Sequence, residues 1–347
     1  MHLLIIKTSS LGDVIHTLPA LTDAVQHYPD LQCDWVVEEA FAEIPTWHPA
    51  VKHVMPVALR RWRKHPWQTL KSGTWHQFIQ TLTQQHYDKI IDAQGLLKSA
   101  FLTYKARGLR CGLDRHSARE PLAALAYQQC YSIPKNQHAV ARVRQLFATV
   151  LNYPVPDTPP DYGIIHHFQP ISKHDQKWPT IIFLHGTTWP TKHWPDSYWL
   201  ALAQKAIGAG FNVRLPWGNS QEYQRAQQLA SLNPQKISLI PKSNLHDIAM
   251  ELAQARAIVG VDTGLAHLAA ALAIPSITLY GATEPGRTGT YGQHQTHLRT
   301  HFPCAPCFNK KCTYRGLSTV YPACYEDLSA EQVWNALSLK INNDIQS

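Results

Sequence analysis

Three short segments of this chain bring together a candidate proton acceptor and groups suited to hold phosphate. In the first, Ser9-Ser10-Leu11-Gly12-Asp13, a glycine permits a tight turn between an apolar run and a helical pattern. A carboxylate held at such a turn is placed to act as a general base. Capping the helix is the alternative use for Asp13. The second segment, Leu184 to Pro195, offers the hydroxyls of Thr187 and Thr188, backbone N–H groups and a single lysine, Lys192. Such a loop suits a diphosphate, with Lys192 as counter-charge; a surface loop with a solvated lysine is the alternative. The third, Val261-Asp262-Thr263-Gly264-Leu265-Ala266-His267, follows an apolar run and opens a helical pattern. Thr263 and Gly264 then present N–H groups at a helix N-terminus, where phosphate binds well. Asp262 would repel phosphate, so it is expected to cap the helix, orient Thr263 or meet a sugar hydroxyl. His267, on the same segment, reads as a packed polar residue more readily than as a catalyst.

Two further segments have unusual compositions. From Ile44 to Tyr87 there is no Asp or Glu, while Arg60, Arg61, Arg63 and Lys64 crowd around Trp62. An ordinary exposed helix face mixes both signs, so this stretch reads as a basic loop for phosphate or carboxylate groups, with Lys98 and Arg119 extending it. Late in the chain, Cys304 and Cys307 have the C-x2-C spacing of metal ligands, and Cys312 and Cys324 follow. No second C-x2-C pair completes the pattern, so free thiols or an occasional disulfide fit it better than structural zinc.

The elements that must position these residues alternate in βαβ fashion. Strands are expected at 2–7, 33–37, 51–55 and 89–92, with helices over 13–27, 73–86, 96–107 and 137–151. A second series of strands follows at 180–184, 212–215, 237–240, 257–261 and 276–280. Between the series lies a proline-rich stretch, Pro154 to Pro160, with Pro170 and Pro179 beyond it, which reads as a linker. The expected domains are 1–165 and 175–328, both Rossmann-like α/β, with ligands at the C-terminal ends of the strands and in the cleft between the domains. A last helix in 329–347 is expected to pack back on the first domain.

With 347 residues and 44% apolar residues, the chain has material for two cores. Its net charge of +8 predicts attraction to phosphate, nucleic acid or an anionic membrane. No run approaches the roughly 18 apolar residues of a membrane span, and the short N-terminal apolar run does not fit a secretory signal, so a cytoplasmic protein is expected. Seven cysteines argue against a disulfide scaffold. The absence of G-x-G-x-x-G from the first turn counts against a Rossmann dehydrogenase. A basic nucleic-acid-binding protein is the non-enzymatic alternative, but no recognisable nucleic-acid motif accompanies the charge.

Four segments in order, Lys7 to Pro19, Asp92 to Ser99, Arg119 to Ala123 and Val261 to His267, resemble the lipopolysaccharide core heptosyltransferases of glycosyltransferase family 9. The resemblance runs to about Gly292. It implies a GT-B fold, two Rossmann-like domains facing a central cleft. It implies inverting transfer of L-glycero-D-manno-heptose from ADP-heptose to the first Kdo of Kdo2-lipid A, with neither cofactor nor metal. By the same resemblance Asp13 is the base and Lys192 binds phosphate, with Thr187 and Thr188 in its loop. Asp262, Thr263 and Gly264, with His267 beside them, lie in the donor-binding segment. Glu222, after Trp217-Gly218, matches a ribose-binding acid. Arg60, Arg61, Arg63, Lys64 and Arg119 match the basic acceptor region. A lipid-linked acceptor implies a peripheral protein at the anionic cytoplasmic face of the inner membrane, with no nucleic-acid partner. The four-cysteine segment departs from this pattern and resembles members that add the second heptose, which is the alternative activity.

Overall fold

The run Leu3-Leu4-Ile5-Ile6 has no polar residue to turn toward water, so it must be covered on both faces. The computed structural model, which describes residues 1–168 and 179–346, puts it at the centre of a parallel sheet. Among the described residues, β1 (His2–Ile6), β2 (Gln32–Glu38), β3 (Val51–Val57), β4 (His86–Asp92), β5 (Arg107–Leu113) and β6 (Gln129–Tyr131) form one sheet in the order β3-β2-β1-β4-β5-β6. A second sheet contains β7 (Thr180–Leu184), β8 (Asn212–Leu215), β9 (Ile237–Leu239), β10 (Ala257–Val261), β11 (Ser276–Tyr280) and β12 (Gln295–Arg299). Its order, β12-β11-β10-β7-β8-β9, repeats that of the first. Each sheet reverses its winding between its first and fourth strands, where Ile6 pairs with Asp92 and Leu184 with Gly260. The chain divides into two compact units, Met1–His167 and Phe168–Ser347.

The expected helix over 13–27 is two helices, Leu11–Ile15 and Leu18–His27. Pro19 lacks an N–H and cannot continue a helix from before it, so a new one starts with proline in its first turn. That second helix lies against Ala139–Leu151, whose Arg144 grips Asp23 through Nε–Oδ2 at 2.6 Å and Nη2–Oδ1 at 3.1 Å. Arg144 Nη1 also donates to the Thr158 carbonyl at 2.9 Å. The stretch Pro154 to Pro160 is therefore fastened within the first unit and is not the linker; Pro170 lies outside the described residues.

Two more expectations change. The basic loop is a helix, Leu59–Lys64, because Leu59 and Trp62, three apart, pack on the first unit's core and leave the cations outside. The last helix, Ala330–Gln346, packs on the second unit, not the first. Val333, Leu337 and Ile341 recur every four residues and enter the core of that unit with Trp199 and Leu202. Arg256 Nη2 also donates to the Ile341 carbonyl at 2.9 Å. Among the described residues no helix is long and apolar enough to cross a membrane.

Just before β3, His48 is 2% exposed. Its Nδ1 accepts the Ala50 N–H at 3.2 Å, which leaves Nε2–H to donate to Thr22 Oγ1 at 3.1 Å. Gly163, at φ +67°, passes so close that an added Cβ would lie 2.6 Å from the imidazole. Burial depresses the His48 pKa from 6.5 to about 4, against the opposing pull of Asp161. The unfolded chain therefore takes up this proton first, and folding stability falls as pH drops from about 6.5 toward 4. At about 1.4 kcal/mol per pH unit, the contribution is roughly 3 kcal/mol. Urea unfolding should show a shallower loss over this range in His48→Gln than in the unmodified protein; parallel curves would exclude His48 as the source.

Candidate functional site

In the first unit, the turns after β1 and β4 are stitched together. Gln94 Oε1 accepts from the Thr8 N–H and hydroxyl, both at 2.8 Å, and Gln94 Nε2 donates to the Ser9 carbonyl at 3.1 Å. Lys98 Nζ donates to Ser9 Oγ at 2.8 Å. Buried Asp92 anchors the second turn by accepting from Gln94 N–H, Gly95 N–H and Tyr127 OH. Burial raises its pKa despite those bonds.

Asp13 stands at this edge, half-buried, three residues into its helix. Its Oδ2 accepts from Ser10 N–H at 2.7 Å and Ser10 Oγ at 2.9 Å, so it does cap the helix. Burial pushes its pKa up, but the Lys7 charge and the Ser10 bonds outweigh this and leave it lowered. Lys7 is itself buried, donates to the Ala93 carbonyl at 2.8 Å, and has its pKa lowered by burial. The segment carrying Arg119 is fixed against this turn, because Glu120 N–H donates to Gly95 O and Glu120 Oε2 accepts the Leu97 N–H.

The four cations of the helix Leu59–Lys64 are all exposed, yet they differ. Arg61 makes a two-pronged contact with Glu39, at 3.1 and 2.8 Å, so it is already engaged. Arg60 lies with its guanidinium 5.6 Å from the Phe41 ring centroid. Its backbone N–H donates to Glu38 Oε1, whose Oε2 is buried without a partner. Trp62 does not stand among the exposed cations. It packs edge-on to Trp75 and Phe78 in the core.

In the second unit, Lys192 Nζ lies 2.6 Å from Asp262 Oδ2 and 4.7 Å from the centroid of the Trp189 ring. Asp262 Oδ2 also accepts from Thr283 Oγ1 at 2.7 Å, and its carbonyl accepts from Thr187 Oγ1 at 3.2 Å. His267 Nε2 lies 3.9 Å from Asp262 Oδ1. Asp262 therefore clamps Lys192; the N-cap of the helix Gly264–Ala271 is Thr263. Thr188 is exposed in the same loop.

Beside this pair is a cavity of about 290 Å³ lined by Gly186, Trp217, Glu222, Asn244, Ile248 and Thr263, among others. Glu222 Oε2 accepts the Gly218 N–H at 2.7 Å. A carboxylate, an apolar wall with an indole, and an adjoining Lys with a helix N-terminus can hold a nucleoside diphosphate: ribose hydroxyls, base and phosphates in turn. The sequence reading missed Lys7, Gln94, Glu38, Thr283 and the 243–248 wall. Asn244 carried a signal, since it caps the helix Leu245–Ala253 by accepting the Asp247 N–H.

The sequence model of glycosyltransferase family 9 (heptosyltransferase) matches residues 75–318. The chain is 52% identical over 343 residues to lipopolysaccharide heptosyltransferase 1 of Pseudomonas aeruginosa, covering 96% of each. Escherichia coli heptosyltransferase WaaC, solved with ADP, matches with a TM-score of 0.88 and 42% identity over 98% of this chain and 100% of that one. The same protein solved with ADP-2-deoxy-2-fluoro heptose gives 0.84 and 42% over 97% and 99%. Lipopolysaccharide heptosyltransferase 2 of Escherichia coli is 24% identical over 303 residues, 83% of this chain and 85% of that one. The two sheets and these likenesses define a GT-B fold.

Gly186 is needed where it stands, since an added Cβ would lie 2.6 Å from the Glu222 carboxyl carbon. That carboxylate ends a flexible side chain, so Gly186→Ala should fold normally but swing Glu222 off the Gly218 N–H. A hydrogen bond to a charged group is worth roughly 1.5–3 kcal/mol, so ADP titrated by calorimetry should bind roughly tenfold or more weakly. Unchanged affinity would remove this contact from the site.

Proposed function

From the premise that this chain belongs to glycosyltransferase family 9, which its match over residues 75–318 and its 52%-identical relative establish, we infer how its residues divide the work of heptose transfer. The chain transfers heptose from ADP-heptose in synthesis of the lipopolysaccharide inner core. We assign the first Kdo of Kdo2-lipid A as acceptor. The higher identity to heptosyltransferases 1, 52% against 24% for a heptosyltransferase 2, supports the first heptose over the second.

The observation that carries the assignment is made in each unit by itself: a capped carboxylate, Asp13, at the winding reversal of the first, and a clamped lysine, Lys192, at that of the second. Asp13, kept ionised by Lys7 and Ser10, accepts the proton of the Kdo hydroxyl as it attacks the anomeric carbon from the face opposite ADP. The bond to the diphosphate oxygen breaks, and configuration inverts. Lys192, Thr187, Thr188 and the N–H groups at Thr263 and Gly264 take up the charge growing on the diphosphate. Glu222 holds the ribose hydroxyls. Asp262, which meets Lys192 in the structure, orients that lysine and, with His267, borders the sugar.

Arg60, Arg63 and Lys64, with Lys98 and Arg119, meet the Kdo carboxylate and the lipid A phosphates. The same unit supports docking on an anionic leaflet. Phe101, Tyr104, Leu122 and Leu125 are exposed on the packed helices Leu97–Lys105 and Pro121–Ala126, with Leu125 84% exposed. Lys105 and Arg110 lie over the rings of Phe101 and Tyr104 at 5.5 and 5.4 Å. Apolar anchors rimmed by cations suit the surface from which a lipid acceptor is drawn.

With ADP-heptose supplied, Kdo2-lipid A should be consumed and already heptosylated lipid A left untouched; the reverse pattern would move the chain to the second transfer. Asp13→Asn keeps an oxygen for the Ser10 cap, so donor binding should persist while turnover drops by about 10²–10⁴. Turnover within a few-fold of the unmodified enzyme would remove Asp13 as base.

Neutralising Arg60, Arg63 and Lys64 together, with Arg61 left on Glu39, should raise KM for Kdo2-lipid A and weaken sedimentation with anionic vesicles. Exposed pairs contribute only about 0.2–1 kcal/mol each, so the effect is a sum over one polyanion and should shrink as salt is raised. ADP affinity should stay constant. A low-salt acceptor KM equal to that of the unmodified enzyme would leave this helix as solvated surface.

A further inference from the structure

Heptose transfer leaves one constellation unused. Between β12 and the last helix, the chain has no regular element but the short turn Ala323–Tyr325. That is longer than unstructured connections in compact domains usually run, and such lengths call for another source of order. Four cysteines lie on it, separated by two, four and eleven residues: Cys304, Cys307, Cys312 and Cys324. Despite their spread in sequence, all four line a single cavity of about 460 Å³, together with Thr191, Tyr314 and others. None is in a disulfide.

The chemistry of that cavity favours a soft cation. Its lining contains no carboxylate and no histidine, and thiolates are the ligands that select zinc-like ions. A dication bound by four thiolates carries two net negative charges. Arg315 lines the cavity, and Lys310 and Lys311 stand within the same segment to offset them. The thiols also sense one another. Burial and then the neighbouring sulfurs raise the pKa of Cys304, and the same causes push Cys324 up to about 12.

We propose that Cys304, Cys307, Cys312 and Cys324 form a structural four-thiolate site for one thiophilic divalent cation. Binding converts four thiols to thiolates and releases four protons, with no change of oxidation state. Among the described residues no three His, Cys, Asp or Glu side chains are assembled at metal-holding spacing. Closing on the ion therefore needs side-chain rotation and adjustment of this irregular segment. A closed four-sulfur shell leaves no open position for substrate, so the ion braces and does not catalyse. What it braces is specific. Thr191 Oγ1 donates to the Asn309 carbonyl at 2.6 Å, and Tyr325 OH donates to the Lys192 carbonyl at 3.0 Å. Phe308 N–H donates to Ala282 O at 2.8 Å, just before Thr283, which holds Asp262. An ion joining both ends of the segment would fix the loop that carries Lys192.

The test reads metal content, so it is independent of the acceptor and donor assignments. Protein purified under reducing conditions should contain about one zinc or iron per chain by elemental analysis. Cobalt exchanged into it should give the intense thiolate-to-cobalt absorption of a tetrahedral sulfur site. Cys304→Ser/Cys307→Ser should lose the ion, and Cys130→Ser, outside the cavity, should keep it. If the double variant fails to fold, titrating the intact protein with a mercurial beside a chromogenic chelator should release one ion as these thiols are blocked. Less than a tenth of an equivalent of any transition metal or zinc after loading, or a disulfide among the four under the same reducing conditions, would overturn the site.

Discussion

The loops that carry Asp13 and Lys192 depend on a reversal of winding made twice, once in each sheet. In each sheet the first strand pairs with both the second and the fourth, so crossovers leave it in opposite directions. The loops at the C-terminal ends of the two strands at the reversal are therefore not bridged by a helix, and a crevice opens there. Asp13 follows β1, and Gln94 and Lys98 follow β4. Thr187 and Lys192 follow β7, and Asp262 and Thr263 follow β10. The strands beneath are covered on both faces: Leu3 to Ile6 and Ile181 to Leu184 are at most 1% exposed. In each unit the polar turns thus rest on one of the most apolar stretches in the molecule, which fixes their backbone.

The charges at these reversals are held against partners within their own unit. Lys7 is buried beneath Asp13 and tied to a backbone carbonyl, so its effect is to keep the carboxylate ionised. Lys192 rests on Asp262 and on the face of Trp189. A lysine with a carboxylate at 2.6 Å is oriented before any phosphate arrives, but the carboxylate also tempers its attraction for an anion. That balance suits a leaving group, which must be stabilised as the bond breaks and then released. It also explains an acid in a segment otherwise built for phosphate, which composition alone makes look contradictory.

The legible parts of this fold are those where one residue type settles the environment. β7, β10 and β11 were readable to the residue because each is a mostly apolar run bounded by polar or helix-forming sequence, and β8 because Val213 and Leu215 alternate with polar residues. β5, β6 and β12 were not. Arg107-Gly108-Leu109-Arg110 alternates charge with small and apolar residues because the strand lies off-centre, and the side chains of Arg107 to Arg110 are not fully buried. The basic segment misled through its charge density. Four cations hid the two apolar residues, Leu59 and Trp62, that decide its helical form. The site's residues were legible where they sat in the strand-to-helix turns, and not where tertiary pairing made them relevant. Glu39 is twenty-two positions from Arg61, and nothing local ties the two together.

That last pairing bears on how the helix Leu59–Lys64 would meet the lipid-linked acceptor proposed above. The stretch from Ile44 to Tyr87 has no acid of its own, so composition presents it as uniformly attractive. The fold brings Glu38 and Glu39 from the end of β2 against the start of the helix Leu59–Lys64. Glu38 receives the Arg60 N–H and thereby sets where the helix begins, while Glu39 takes the fork of Arg61. An arriving anion must either leave Arg61 alone or compete with a two-pronged partner for it. The remaining cations are exposed, and each exposed contact is weak, worth about 0.2–1 kcal/mol. The helix is thus a surface of several weak attractions aimed outward by the packing of the half-buried Trp62, with two acids limiting its grip. The acceptor proposed above, a membrane-bound polyanion to be captured and then released longer by one sugar, would be served by many weak contacts better than by one strong one.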